Sequence, residues 1–257
     1  MFALTCRCSQ QKGGITMQKK LELLHVMLKD SDNIVCLAGM GLVNESHYPN
    51  HRAAEHAYET EMKYGYSPEE FLSTRFFNTR AEQFYEYYRN ELLREGEPCP
   101  AFYALNNLEL RGKLKAIITG SVHGIPQKMG CHNVLELHGN IHRNFCPRCK
   151  RQYSVEYLKN YKEMVPLCEH CGVTIHPGMM LMGEMIDNSL MTAAVNAVEN
   201  ADLLLVLGDD MTTNLVSSLV KYYQGDKLVL INESHHYLDD TAKLVIHGSP
   251  SLLASAI

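Results

Sequence analysis

Apolar positions first recur at helical spacing. Leu21, Leu24, Val26 and Met27 share one face of a segment from Met17 to Lys29, and Asp30, Ser31 and Asp32 end it. The run from Asn33 to Ala38 then reads as a buried strand leading into Gly39-Met40-Gly41, the kind of turn at which a nucleotide-binding fold brings its backbone close to a pyrophosphate. Ser67-Pro68-Glu69-Glu70 combines a cap, a proline at the first helical position and an acid at the third, which starts a helix. A second helix begins near Asn78 and carries Phe84, Tyr87, Tyr88, Leu92 and Leu93 on one face until Gly96; this aromatic stripe reads as core rather than as a base-stacking platform. After Pro98 and Pro100, Ala101 to Leu110 reads as a third helix.

Beyond that point the period changes. Short apolar runs occur at Lys115–Thr119, Asn133–Leu137, Gly178–Met182, Asp202–Leu207 and Lys227–Ile231, with helical segments at Asp187–Asn200 and Thr213–Gln224 between the last three. Strands alternating with helices predict an α/β fold built on a parallel sheet covered on both faces. Residues 140–175 interrupt the alternation, so they read as a small module inserted into a larger domain made of residues 17–139 and 176–257.

The interruption contains the strongest chemical signal. Cys146, Cys149, Cys168 and Cys171 form two C-x-x-C pairs with eighteen residues between them, a spacing suited to four thiolates closing on one zinc ion. Four cysteine ligands leave no open position for a catalytic water, so this metal is structural and the module a zinc ribbon. The competing reading is a redox C-x-x-C or two unrelated thiol pairs.

Composition adds bounds. The 257 residues are 46% hydrophobic, enough for one large domain or a domain plus a small module. A formal net charge of -5 gives no global basic surface, and direct nucleic-acid binding is not expected. No apolar run is long enough for a membrane span. Residues 1–16 lack the apolar middle of a secretion signal and read as a flexible tail; Cys6 and Cys8 are read with that tail rather than as metal ligands. Nine cysteines in a chain without a secretion signal point to a reducing compartment, taken as the cytoplasm.

Read in order, Gly39-Met40-Gly41-Leu42-Val43, Pro49-Asn50-His51-Arg52, Thr119-Gly120-Ser121-Val122-His123-Gly124, Glu136-Leu137-His138-Gly139, the cysteine pairs, Met182-Gly183-Glu184, Gly208-Asp209-Asp210 and Ile231-Asn232 resemble the sirtuin family from about Met17 to the end of the chain. The resemblance implies a Rossmann-type domain carrying a small zinc domain, with NAD and an acylated lysine of a protein or peptide meeting between them. It implies deacylation: the acyl oxygen attacks the nicotinamide ribose, nicotinamide leaves, and a histidine acts as general base so that the acyl group passes to ADP-ribose. His138 matches that histidine, and imidazole suits the role because its ordinary pKa lies near neutrality. Ser121 is carried over as its partner on the ribose. Gly39, Met40, Gly41, Asn44, His51, Arg52, Gly120, Val122, His123, Gly208, Asp209, Asp210 and Asn232 are carried over as cofactor-binding positions, and Met182, Gly183 and Glu184 as substrate-binding ones.

Several of these positions depart from the family pattern. Asn50 and His51 stand where the family has aspartate and phenylalanine, and Gly120, Ser121 and His123 replace its glutamine, asparagine and aspartate. A neutral His123 accepts one hydrogen bond and a charged one none. Met40 puts bulk into the glycine turn where amides should meet phosphate, and Val43 removes a hydroxyl. Asp209 and Asp210 would repel a pyrophosphate, accept ribose hydroxyls, or simply begin an exposed loop. Met179, Met180, Met182 and Met185 suit an acyl-chain groove or core filling. Two other functions therefore stand beside deacylation: ADP-ribosyl transfer, and a module that binds NAD or ADP-ribose without turning it over.

Overall fold

A computed structural model describes residues 16–257. Cys6, Cys8 and the rest of the expected tail lie outside the described residues, apart from Thr16, whose hydroxyl accepts the Lys19 N–H and caps the helix Met17–Lys29. The strands are β1 (Ile34–Ala38), β2 (Leu114–Thr119), β3 (Val134–Glu136), β4 (Asn144–Phe145), β5 (Gln152–Tyr153), β6 (Leu203–Leu207), β7 (Leu228–Asn232) and β8 (Leu244–His247). Six of them form one parallel sheet in the order β3-β2-β1-β6-β7-β8, and β4 and β5 form a separate antiparallel pair.

The central strands are apolar without alternation because both faces of the sheet are covered. Ile34, Cys36 and Ala38 pack with the helices Met17–Lys29 and Pro100–Leu110 and the C-terminal turns Pro250–Ala256. Val35 and Leu37 face the other way, toward the helices Asn188–Glu199 and Leu215–Leu219. The chain leaves β1 toward β2 on one side and β6 toward β7 on the other, so the crevice between the ends of these two strands is a topological switch point, where open α/β sheets bind ligands.

A third core is separate from the sheet. Phe71, Phe84, Tyr85, Tyr87 and Tyr88, from the helical region 68–92, pack with Val122, Ile141, Cys146, Tyr153, Leu158 and Ile175. Rings stack or meet edge to face throughout, Phe71 on Tyr87 at 4.4 Å between centroids. The aromatic stripe is thus core, as its period implied. Asn144 ties this core together: it accepts the Tyr88 hydroxyl at 3.0 Å and the Gly178 N–H at 3.0 Å, and its amide donates to the Ile141 carbonyl, while the Tyr87 hydroxyl is buried without a partner.

Three expected elements differ from the sequence reading, and three others were not foreseen. Gly178–Met182 is not a strand of the sheet; it makes isolated bridges to Gly139 and to Ser73, because it runs between two different partners. The helix expected from Asn78 breaks at Arg80, restarts at Ala81–Tyr87 and widens into a π-helical turn at Tyr88–Leu92. Thr213–Gln224 shortens to an α-helix at Leu215–Leu219 and a 3₁₀ turn at Val220–Tyr222. Short helices at Met40–Glu45 and Ala54–Tyr64 and the strand β8 had no recognised signal.

Candidate active site and zinc centre

The cysteine pairs come together at the far end of the third core. One sulfur from each of Cys146, Cys149, Cys168 and Cys171 lies within 4.8 Å of the others, and the Cys149 and Cys168 sulfurs are 3.7 Å apart. Sulfurs bonded at about 2.3 Å to a tetrahedral ion stand about 3.8 Å apart, so the cluster has the size zinc requires. Each pair is one tight knuckle. The Cys149 N–H points at the Cys146 sulfur and the Cys171 N–H at the Cys168 sulfur, both at 3.4 Å, and the next residues, Lys150 (φ 62) and Gly172 (φ 66), turn the chain through the left-handed region. These residues fit a structural zinc ion and leave no ligand position open.

His138 lies at the other end of the module, just beyond β3. Its Nδ1 is 3.1 Å from the Gly120 carbonyl, an acceptor only, so Nδ1 carries the proton and Nε2 keeps its lone pair. Burial holds the imidazole below its ordinary pKa against the opposing pull of that carbonyl, with the Arg52 charge adding to the depression. The pocket around it gathers His51, Arg52, Glu69, Leu72, Gly120, Val122, Met179, Met180 and Met182, from loops far apart in sequence. The segment 179–182 is stitched across the cleft: the Met180 N–H donates to the His138 carbonyl at 2.8 Å, the Met182 N–H to the Leu72 carbonyl at 2.7 Å, and Thr74 N–H donates back to Met182. Glu184 accepts the Leu181 N–H at 2.7 Å and faces His176 Nε2 at 2.9 Å, which fixes the turn at Gly183 (φ 99).

Two more histidines stand here as neutral groups, His51 on the pocket wall and His123 behind it. His51 is pushed down to about 3 by burial, with the Arg52 charge beside it, and its Nδ1 is enclosed without a partner. His123 is pushed down to about 4 by burial despite bonding to the Pro49 carbonyl through Nε2 at 2.9 Å. That bond makes Nε2 the donor and leaves Nδ1 a buried acceptor with no partner, the one acceptor expected of a neutral imidazole here. Ser121 does not line the pocket around His138; its hydroxyl is near the His123 N–H at 3.4 Å, inside the loop. Asn50 is also turned inward, its amide donating to Asn44 at 2.7 Å.

A second cleft opens at the switch point between β1 and β6, lined by Gly41, Asn44, Glu45, Gly208, Asp209, Asp210, Asn232, Glu233, Ser234 and Pro250. The glycines are needed for the two turns to touch. A Cβ on Gly39 would sit 2.3 Å from the Gly208 carbonyl oxygen and one on Gly41 2.8 Å from it, while the Gly41 N–H donates to that oxygen at 2.7 Å. Met40 and Val43 point into the sheet core, so neither crowds the cleft as their place in the turn had suggested. Asp209 departs furthest from the exposed-loop reading. It is buried, its Oδ2 accepts His236 Nε2–H at 2.9 Å, and its backbone exchanges two hydrogen bonds with the Asn232 amide at 2.7 and 2.6 Å. His236 Nδ1 accepts the Leu238 N–H, which assigns the proton to Nε2. Asp210 accepts the Thr212 N–H and hydroxyl. Both acids thus hold loop structure, and His236, Glu69 and Leu72 are site residues that no sequence motif marks.

Comparison with known proteins agrees with this arrangement. The model of the Sir2 family matches residues 38–214. An NAD-dependent protein deacetylase of Clostridium tetani is 40% identical over 88% of this chain and 92% of its own, and one from Fusobacterium nucleatum is 34% identical over 93% and 91%. Among solved structures, one from work on the structural basis of sirtuin substrate affinity aligns with TM-score 0.82 and 28% identity over 94% of this chain and 97% of that one. Sir2 bound to acetylated peptide aligns with TM-score 0.75 and 27% identity over 94% and 96%. With the switch-point cleft, the histidine beyond β3 and the four-cysteine knuckles in one chain and in this order, the chain belongs to the Sir2 family.

Proposed function

We propose that this chain is an NAD-dependent protein-lysine deacylase in which His138 is the general base. The observation that carries the reading is the state of the His138 ring: one nitrogen is fixed as a donor to Gly120, and the other is free in a pocket walled by the ends of β2 and β3 and by residues 179–182. Bound NAD supplies the labile bond between nicotinamide and ribose and the ADP-ribose that accepts the acyl group. The chain supplies the rest. A neutral His138 Nε2 takes a proton, and the Gly120 carbonyl keeps the ring oriented and stabilises the charge it gains. Arg52, on the pocket wall, contributes positive charge where the cofactor's phosphates enter.

Gly39, Gly41, Asn44, Gly208, Asp210 and Asn232 bound the space for the adenosine and ribose side, with Asp209 holding that space open from behind. His51, Gly120 and Val122 wall the nicotinamide side, with His123 packed behind them. Ser121 acts there by shaping the loop of His123. Met182, Gly183 and Glu184 form the strip along which an acylated peptide lies, and the acyl chain meets Met179, Met180 and Leu72. Relatives named NAD-dependent protein deacetylase and a neighbour bound to acetylated peptide support this assignment.

The division into a large domain, residues 17–139 and 176–257, and a zinc module, residues 140–175, belongs to the proposal. The shared aromatic core supports adding the helical region 68–92 to the smaller unit. Among the described residues no helix is long and apolar enough to cross a membrane. The four thiolates of the zinc site require reducing conditions, which supports the cytoplasm as the compartment. Incubation of acetyl-lysine peptide with NAD, followed by mass spectrometry, tests the function. Loss of the acetyl group is expected; a peptide that instead gains ADP-ribose mass assigns the chain to ADP-ribosyl transfer, and an unchanged peptide overturns catalysis.

A further inference from the structure

Three side chains outside both clefts converge at the C-terminal rim of β7 and β8. His247 ends β8, paired in register with Asn232 of β7, and the loop leaving β7 folds back so that His235 and Asp239 meet it. His235 Nδ1 is 3.2 Å and His247 Nε2 is 3.3 Å from the same Asp239 oxygen, Oδ2. One ligand atom from each of the three residues lies within 4.8 Å of the others. The other carboxylate oxygen, Oδ1, is buried without a hydrogen-bond partner.

We propose that His235, Asp239 and His247 bind one divalent transition-metal ion, separate from the zinc of the four cysteines. Two imidazoles and one carboxylate are a donor set for zinc, nickel or cobalt, whereas calcium and magnesium call for oxygen ligands. The spacing agrees. Ligand atoms bonded at about 2.0–2.1 Å to a tetrahedral ion stand about 3.3–3.4 Å apart, which matches the two nitrogen–oxygen separations. The His236 N–H donates to Asp239 Oδ2 at 3.2 Å and orients the carboxylate, as outer hydrogen bonds do for metal ligands. His235 is 92% exposed, which gives the ion an entry path and leaves room for water to complete its shell.

The position gives such an ion a consequence. Between β7 and His235 lie Glu233 and Ser234, which line the switch-point cleft, and between His235 and Asp239 lies His236, which bonds to Asp209. An ion on the rim clamps that loop to β8.

The test uses untagged full-length protein holding zinc in its cysteine site, cleared of loosely bound metal on a weak chelating resin. Nickel is then added in equilibrium dialysis, with nickel and zinc both counted by mass spectrometry. One nickel per chain is expected at micromolar free metal, with zinc unchanged, and affinity should fall at least about tenfold in His235→Ala and in Asp239→Asn. No nickel uptake by the wild type overturns the proposal, as does uptake that His235→Ala leaves unaltered. Because the His235 side chain is on the surface, that variant removes a ligand without disturbing the core.

Discussion

The zinc centre and the cofactor cleft are built by opposite routes. All four zinc ligands come from two knuckles within 26 residues, and each knuckle is closed by its own backbone. The cleft and the His138 pocket draw on segments spread from Gly41 to Pro250, and their shape depends on which way individual side chains turn. A site closed by local geometry survives as a motif. A site assembled from distant loops can change most of its letters and keep its form. Met40 and Asp209 show how: one turns into the sheet core, and the carboxylate of the other, at the cleft wall, is bonded to His236.

Breaking the zinc side should have the largest effect. Cys146→Ser, or a strong chelator, should expel the metal and unfold the module together with the aromatic core it shares with residues 68–92, since structural zinc supplies on the order of 10 kcal/mol of folding free energy. Metal content and near-ultraviolet circular dichroism would read it; a variant with full metal and an unchanged spectrum would separate the knuckles from the core. On the cleft side, Asp209→Ala should lower unfolding stability by about 2–3 kcal/mol, because it strands the buried His236 N–H, and should weaken NAD binding. Denaturant melts and calorimetry check both, and a loss in only one would show that the pair serves a single purpose.

Acid should act on the pocket next. His51 and His123 are held neutral in the fold but protonate once unfolded, so the unfolded state binds more protons below the ordinary imidazole pKa. Stability should therefore be nearly full above about pH 7 and fall as pH drops below about 6.5, by roughly 3 kcal/mol near pH 5.5 for the two together. A His51→Phe, His123→Asn double variant should flatten that slope in urea titrations across pH. The smallest effect expected is from Gly120→Ala. Its Cβ would lie 3.2 Å from His138 Nδ1, tight enough to displace the ring slightly. Turnover should fall by about tenfold at most with NAD affinity unchanged.

The legible parts of the sequence were those in which one residue type repeats at a physical period. Continuous apolar runs marked β1, β2, β6 and β7 because both faces of the sheet are buried. Gly178–Met182 has the same apolar look, yet its hydrogen bonds go to Asn140, His138 and Leu72 in turn and form no ladder. The helix Ala54–Tyr64 buries only Thr60 and so shows no apolar stripe to read. His138 was legible through its neighbours in sequence, whereas the partners that set its tautomer and environment, Gly120 and Arg52, act through space. The Asp209–His236 pair spans 27 positions and has no motif.

Nicotinamide release shows whether His138 turns over NAD in this altered pocket. Wild-type protein given NAD with acetylated peptide should release nicotinamide in step with acetyl loss, and little without peptide. His138→Ala should keep its fold and lower steady-state turnover by about 10²–10⁴-fold. Measurable binding of NAD or ADP-ribose by the wild type, with no nicotinamide released in the presence of any acylated peptide, would contradict the account.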